Sequence, residues 1–232
     1  MRLTVLQLAA TWNDKARVLA DVDALLARAP TDLVLLPEAA LTGYVSPALD
    51  FDLGPFAEPH GGPTDVALAA LALRHRCAIV GPVIRRRGAH VYNAMVAHDA
   101  EGGHLFTYEK RHPWYPETWA TAGDAKPPVV TLAGQTITVA ICYDLQFVDD
   151  DPDDALRAAD LLLFPSAWVD PDDSRLPLLQ RIAARFDLWI ANSNWSAGVV
   201  EVPGQGHSCV IDRSGHVVAD AGASAGRIDV EI

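Results

Sequence analysis

Three residues in this chain have side chains suited to covalent catalysis, and each follows a short apolar run: Glu38 after LVLLP, Lys110 after HLFTYE and Cys142 at the end of TITVAI. A thiol has a reference pKa of about 8.5, so it is a poor nucleophile at neutral pH unless a cation stabilises the thiolate or a base takes the proton. A Cys, Lys and Glu brought together supply all three parts. Cys142 would attack a carbonyl-type carbon, and Lys110 would stabilise the thiolate and then the oxyanion of the tetrahedral intermediate. The backbone N–H of Tyr143, in a strand-to-turn junction, would be a second oxyanion donor. Glu38 would be the general base and later protonate the leaving group. Each residue alone has a plainer reading. A Cys at a strand end is ordinarily a small buried hydrophobe, Glu38 could be a solvated loop carboxylate, and Lys110 beside Arg111 could be a surface cation. Cys77 in HRCAIVG and Cys209 in HSCVID keep that plainer reading, as strand-borne core residues.

In open α/β sheets the strand ends form the ligand crevice, so residues far apart in sequence can converge there. The chain has 232 residues, half of them hydrophobic, enough for one globular domain spanning 1–232. Short β-branched or Leu-rich runs alternate with amphipathic stretches, which predicts an α/β fold. The expected strands are Leu3–Leu8, Leu33–Leu36, Ala78–Ile84, Val91–His98, His104–Tyr108, Ile137–Ile141, Leu161–Phe164, Leu188–Ala191, Ser208–Asp212, His216–Ala219 and Arg227–Val230. The expected helices are Asp14–Ala27, Thr64–Arg76, a short one at Asp154–Ala159, and Leu176–Phe186. Two Gly- and Pro-rich stretches, Ala39–Pro63 and Tyr108–Pro128, read as long loops, a common place for function. Asn93–Glu109 and Ser208–Asp220 read as hairpins turning at Gly102–Gly103 and Ser214–Gly215.

The formal net charge of −12 disfavours nucleic-acid and anionic-membrane partners, which rely on basic patches. The first residues read as a strand rather than a signal peptide, and no apolar run reaches the length of a membrane span. Cys77, Cys142 and Cys209, odd in number and without CxxC spacing, point to a reducing compartment and a cytoplasmic location. The eight histidines form no HxH or HExxH pair, so no metal site is expected. A small-molecule partner remains.

The chain resembles the carbon-nitrogen hydrolase (nitrilase) superfamily from Leu3 to Ile232. LLPEAALTGY is similar to the family's glutamate motif, YEKRH to its lysine motif and AICYDLQF to its cysteine motif, in the family order. VYNAMVAHDAEG resembles the strand pair ahead of the lysine, ADLLLFPSAW the strand after the cysteine, and IANSNW with GHSCVIDRSG the late strands. The resemblance implies a four-layer αββα sandwich that dimerises through its helical faces and needs no cofactor. It also implies a second glutamate between the lysine and the cysteine, which Glu117 in YPETWATAGD matches. Glu109 is the competitor, but adjacent strand residues point to opposite faces, so Glu109 should diverge from Lys110.

Tyr44 in LTGY, His112, Trp168 and Asn194 are further candidates for the pocket, with Trp114, Tyr115, Trp119 and Trp195 available for an aromatic lining. Nitrilases proper usually carry Trp-Glu after the cysteine. Tyr143-Asp144 here favours an amidase, similar to the branch that cleaves small ω-amides and deaminated peptides, with carbamoyl hydrolysis next. The expected reaction is thioester formation at Cys142 with release of ammonia or an amine, then hydrolysis by water activated by Glu38. Capture of the same acyl-enzyme by an amine would make an acyltransferase, and a noncatalytic scaffold is the alternative of another class. Gln146-Phe147 and the run Asp149, Asp150, Asp151, Asp153 and Asp154 depart from the usual Arg-Phe-Pro-Glu continuation. That run reads as a solvated loop with a helix cap, or as an acidic gate.

Overall fold

The computed structural model describes residues 1–148 and 155–232, so the aspartate run lies outside the described residues. In chain order the elements are β1 (Arg2–Gln7), α1 (Lys15–Leu26), β2 (Leu33–Leu35), α2 (Pro63–His75), β3 (Ala78–Arg87), β4 (His90–His98), β5 (His104–Glu109), β6 (Val130–Leu132), β7 (Gln135–Val139), α3 (Ala155–Ala158), β8 (Leu161–Pro165), α4 (Arg175–Phe186), β9 (Trp189–Ser193), β10 (Cys209–Ile211), β11 (Val217–Asp220) and β12 (Gly226–Glu231).

Among the described residues these strands form two six-stranded sheets, ordered β12-β1-β2-β3-β4-β5 and β11-β10-β9-β8-β7-β6. In the first sheet β1, β2 and β3 are parallel, and β4, β5 and β12 add antiparallel. The second sheet repeats the scheme: β7, β8 and β9 are parallel, and β10, β11 and β6 add antiparallel. The chain therefore builds one topology twice, although its sequence shows no fixed period.

Strand alternation explains the layering. Leu3, Val5, Leu33, Leu35, Ala78, Val80, Met95 and Ala97 from the first sheet share a buried core with Ile137, Val139, Leu161, Leu163 and Ile211 from the second. The intervening residues Leu6, Val34, Leu36, Ile79, Val83, Ala94 and Val96 pack instead against Val18, Val22 and Leu26 of α1 and Leu68, Leu71 and Ala72 of α2. Sheets covered on both faces need continuous apolar strands, which LVLL and LLLF provide. The helices follow local rules. The Asp14 side chain caps α1 by accepting from Arg17 N at 3.3 Å, and Pro63 occupies the first position of α2, where its missing N–H costs nothing. On the other side α4 buries Leu179, Ile182 and Ala183 at helical spacing. The result is the expected αββα sandwich.

Two elements differ from expectation. β3 runs three residues past Ile84 into a hairpin with β4, Arg87 opposite His90. The run Arg85-Arg86-Arg87 lies beyond the expected strand, yet Arg85 is buried in an ion pair with Asp65 of α2 at 2.7 Å. β6, three residues paired to β7 alone, is too short to leave a pattern. Since Leu163 in the central strand β8 is fully buried, Leu163→Ala is expected to cost about 2–5 kcal/mol, measured as a lower midpoint in chemical denaturation.

Candidate active site

Glu38, Lys110 and Cys142 follow β2, β5 and β7, and all three are buried. β2 stops at Leu35, and Pro37, which has no N–H to donate, sends the chain out of the sheet. The following loop turns at Gly43 (φ +83°), where any Cβ would sit 2.1 Å from the carbonyl oxygen of Thr11. This close approach carries Tyr44 inward. β5 continues one bond beyond its end, with Lys110 N donating to Asn93 O at 2.8 Å. Lys110 is 0% exposed, whereas Glu109 faces the other way and pairs with Arg87 at 3.2 Å, as alternation requires.

Lys110 Nζ donates to Glu38 Oε1 at 2.7 Å and to Glu117 Oε1 at 2.8 Å. The other acceptor positions are also used. Asn93 Nδ2 donates to Glu38 Oε1 at 2.7 Å and to Glu117 Oε1 at 3.3 Å. Ala167 N donates to Glu38 Oε2 at 2.9 Å, Trp114 N to Glu117 Oε2 at 3.2 Å, and the Tyr44 hydroxyl to Glu117 Oε1 at 2.9 Å. Burial alone would lower the ammonium pKa, but the charges of Glu38 and Glu117 outweigh it and the Lys110 pKa is raised. Burial likewise raises Glu117, with Lys110 opposing and Glu38 adding to the shift.

Cys142 has φ +46°, the left-handed region that a residue with a side chain enters at a cost of about 1–3 kcal/mol. It opens a 3₁₀ turn, Cys142–Phe147, whose first N–H groups lack acceptors within the turn. Tyr143 N–H is one of them. Asp144 holds this elbow: its Oδ2 accepts from Ile141 N at 3.0 Å and from the Tyr108 hydroxyl at 2.9 Å, and its Oδ1 accepts from His112 N at 2.9 Å. Tyr108 and His112 flank Lys110 in sequence, so one buried carboxylate clamps the cysteine turn to the lysine strand.

The cysteine differs from expectation in one respect. Burial raises its pKa, the Glu38 charge raises it further, and Lys110 and the Ala167 N–H only partly oppose this. Burial and the Glu38 charge thus favour the protonated thiol, and of the two carboxylates Glu38 raises it more.

Cys142 lies in a cavity of about 140 Å³ whose wall includes Tyr44, Trp114, Tyr143 and Trp168. Glu38, Lys110 and Glu117 lie buried behind this lining rather than in it, His112 and Asn194 are not part of it, and of the aromatic candidates Tyr115, Trp119 and Trp195 do not line it either. His112 stacks on Phe147, 4.0 Å between ring centroids, and its Nδ1 lies 3.0 Å from Asp144 Oδ1. Asn194 is fully buried behind the wall, accepting from Trp168 N at 3.0 Å and donating to Gly204 O at 2.9 Å and Gly206 O at 2.8 Å. Both brace the wall. Asn93 and Asp144 were not anticipated as site residues. A lone amide in the apolar strand VYNAMVA is the available signal for Asn93, since a buried amide needs partners. Among the described residues no group of three His, Cys, Asp or Glu is arranged to hold a metal.

One charge-assisted hydrogen bond contributes about 1.5–3 kcal/mol, so Asn93→Ala is expected to lower kcat roughly 10- to 150-fold. Steady-state rates with the fold checked by circular dichroism test this.

The chain matches the carbon-nitrogen hydrolase family over residues 2–232. It is 31% identical over 195 residues to "Hydrolase in pqqF 5'region" of Pseudomonas protegens, covering 82% of this chain and 68% of that one. It is 29% identical over 206 residues to 2-oxoglutaramate amidase of Bacillus subtilis, covering 87% and 78%. Among solved structures, a CN-hydrolase superfamily protein of Xanthomonas campestris superposes with a TM-score of 0.85 at 27% identity, covering 99% and 89%. An amidase from Nesterenkonia sp. does so with a TM-score of 0.86 at 23% identity, covering 100% and 90%. The order of Glu38, Lys110 and Cys142 along the chain, their burial at the ends of two facing sheets, and a family match across nearly every residue together make this chain a member of the carbon-nitrogen hydrolase family.

Proposed function

We propose that the protein is a cysteine amidohydrolase that cleaves the C–N bond of a small amide through a thioester at Cys142. The observation that carries this reading is the fully buried Lys110 held by two carboxylates beside a cysteine in a left-handed turn at the cavity wall. Its relatives include 2-oxoglutaramate amidase and, at 27% identity over the whole chain, an (R)-stereoselective amidase of a Pseudomonas species.

Glu38 takes the thiol proton as Cys142 Sγ attacks the amide carbon. Proton transfer from thiol to carboxylate leaves the net charge of the buried site unchanged, so no uncompensated charge is created in low dielectric. Lys110 and Tyr143 N–H hold the oxyanion. Protonated Glu38 gives its proton to the leaving nitrogen, the C–N bond breaks, and ammonia or an amine departs. Glu38 then deprotonates water, which attacks the thioester. The C–S bond breaks, the carboxylic acid is released, and the proton returns to sulfur. Glu117 orients Lys110, and Asn93 orients both carboxylates. Complete Glu38, Lys110 and Cys142 positions with every bond in place favour an enzyme over a scaffold.

We also propose a homodimer built on the helical faces, supported by Val66 and Leu73, seven residues apart on α2 and 62% and 58% exposed. Light scattering tests it, a monomer being the opposing result. A cytoplasmic location is supported by three unpaired cysteines. No helix among the described residues is long and apolar enough to cross a membrane.

The central test is ammonia release across amide, carbamoyl and nitrile substrates, with added amines to detect acyl transfer. Amide turnover that Cys142→Ala abolishes is expected; full turnover by that variant overturns the mechanism. Iodoacetamide should modify Cys142, which lines the cavity, well before Cys77, which is fully buried away from it.

Because Glu38 takes the thiol proton in this mechanism, Glu38→Gln is expected to slow alkylation of Cys142 at pH 7 as well as to lower amide turnover by about 10²- to 10⁴-fold. Alkylation and turnover both unchanged in a folded variant would overturn the assignment of Glu38 as the base.

A further inference from the structure

The mechanism leaves the outer part of the cavity without a role. Its wall there includes Gln146, Val169, Asp170 and Ser174, beside Trp114 and Trp168. Asp170 alone among the described lining residues is charged. Its hydrogen bonds come from neutral donors: Asp172 N to Oδ1 at 3.0 Å, and Ser174 N and Ser174 Oγ to Oδ2 at 3.0 and 2.6 Å. Those bonds, the Ser174 hydroxyl foremost, hold its pKa at about 2, so the negative charge persists across any working pH.

The aromatic side of the cavity acts in the same sense. Tyr44 and Trp114 stack with centroids 6.4 Å apart, and the Trp168 indole is buried in the same wall. The faces of such rings carry negative potential and attract cations.

We infer that the cavity mouth filters the acyl half of the amide by charge: it admits an uncharged or amine-bearing chain and rejects one ending in a carboxylate, with Asp170 setting the sign. This rests on the amidase reading of Cys142 and sharpens it. It separates the chain from carboxylate-bearing ω-amides, the class that Tyr143-Asp144-Leu145 suggests by resemblance. An anionic acyl chain needs a cation at this end of the cavity, and the lining offers Gln146 and Ser174 instead.

Three amides of matched length decide the question: 3-aminopropanamide, butyramide and succinamate, which end in an ammonium, a methyl and a carboxylate. With the intact protein at low ionic strength, kcat/KM for 3-aminopropanamide should exceed that for succinamate by about tenfold or more, with butyramide between. Raising salt from about 0.01 M to 1 M, which shortens the screening length from about 30 Å to about 3 Å, should bring that ratio toward one. Asp170→Asn keeps a side-chain oxygen to accept from Ser174 and should reduce the ratio to within about threefold. If the variant fails to fold, the salt series on the unmodified protein gives the same answer.

Succinamate turned over as well as 3-aminopropanamide, or a ratio that neither salt nor Asp170→Asn alters, overturns the filter and assigns Asp170 to the loop alone. Failure to hydrolyse any amide overturns the amidase reading and the filter with it. Amide hydrolysis with succinamate preferred overturns only the filter.

Discussion

The structure depends on keeping one ammonium charged with no access to water. Moving an ion the size of Lys110 into the interior costs several kcal/mol even after relaxation. Two carboxylates offset that cost, but they are buried too and carry costs of their own. The balance closes because the remaining oxygen lone pairs meet donors: Asn93 Nδ2 on both carboxylates, the backbone N–H groups of Ala167 and Trp114, and the Tyr44 hydroxyl. These donors arrive from within β4, from just after β8 and from the two long loops. Displacing any one would leave an unpaired polar group where the local dielectric makes that most costly. The network is therefore a strong constraint on how the two sheets can face each other.

The cysteine obeys the same constraint from the opposite direction. Low pKa is a familiar sign of a reactive thiol, yet all three cysteines here are pushed up by burial, Cys77 to about 11 and Cys209 to about 12. Ionisation at rest does not distinguish Cys142. It differs in a positive φ, a place on the cavity wall and a neighbouring carboxylate able to accept its proton. Asp144 maintains the first of these by tying the turn to Tyr108 and His112, so catalytic readiness is a matter of backbone geometry as much as acidity.

Strands such as Leu33–Leu35 and Leu161–Pro165 were legible as β because continuous Leu and Val runs are what a sheet covered on both faces requires. The placement of Glu38, Lys110 and Cys142 was legible from their positions after such runs, aided by three motifs in family order. What escaped was mostly non-local. Arg85 falls outside the expected strand because its partner Asp65, buried against it, lies twenty residues away. Asp144 reads as a specificity mark in the sequence, and only the fold shows that it accepts from Tyr108 and His112. His112 and Asn194 have suitable chemistry for a pocket, but their side chains are committed to bracing Asp144, Trp168 and the 204–206 loop. No local pattern reports where a side chain's partners lie.

The doubled topology has a consequence for when the protein becomes active. Glu38, Lys110 and Glu117 lie on or just past the stretch that supplies β1 to β5 of the first sheet, while Cys142 and the Ala167 amide lie on the stretch that builds the second. Neither stretch holds a working set. On the proposed mechanism, the cysteine meets its carboxylate and ammonium only when the two sheets face each other, so the chemistry is interlocked with tertiary assembly.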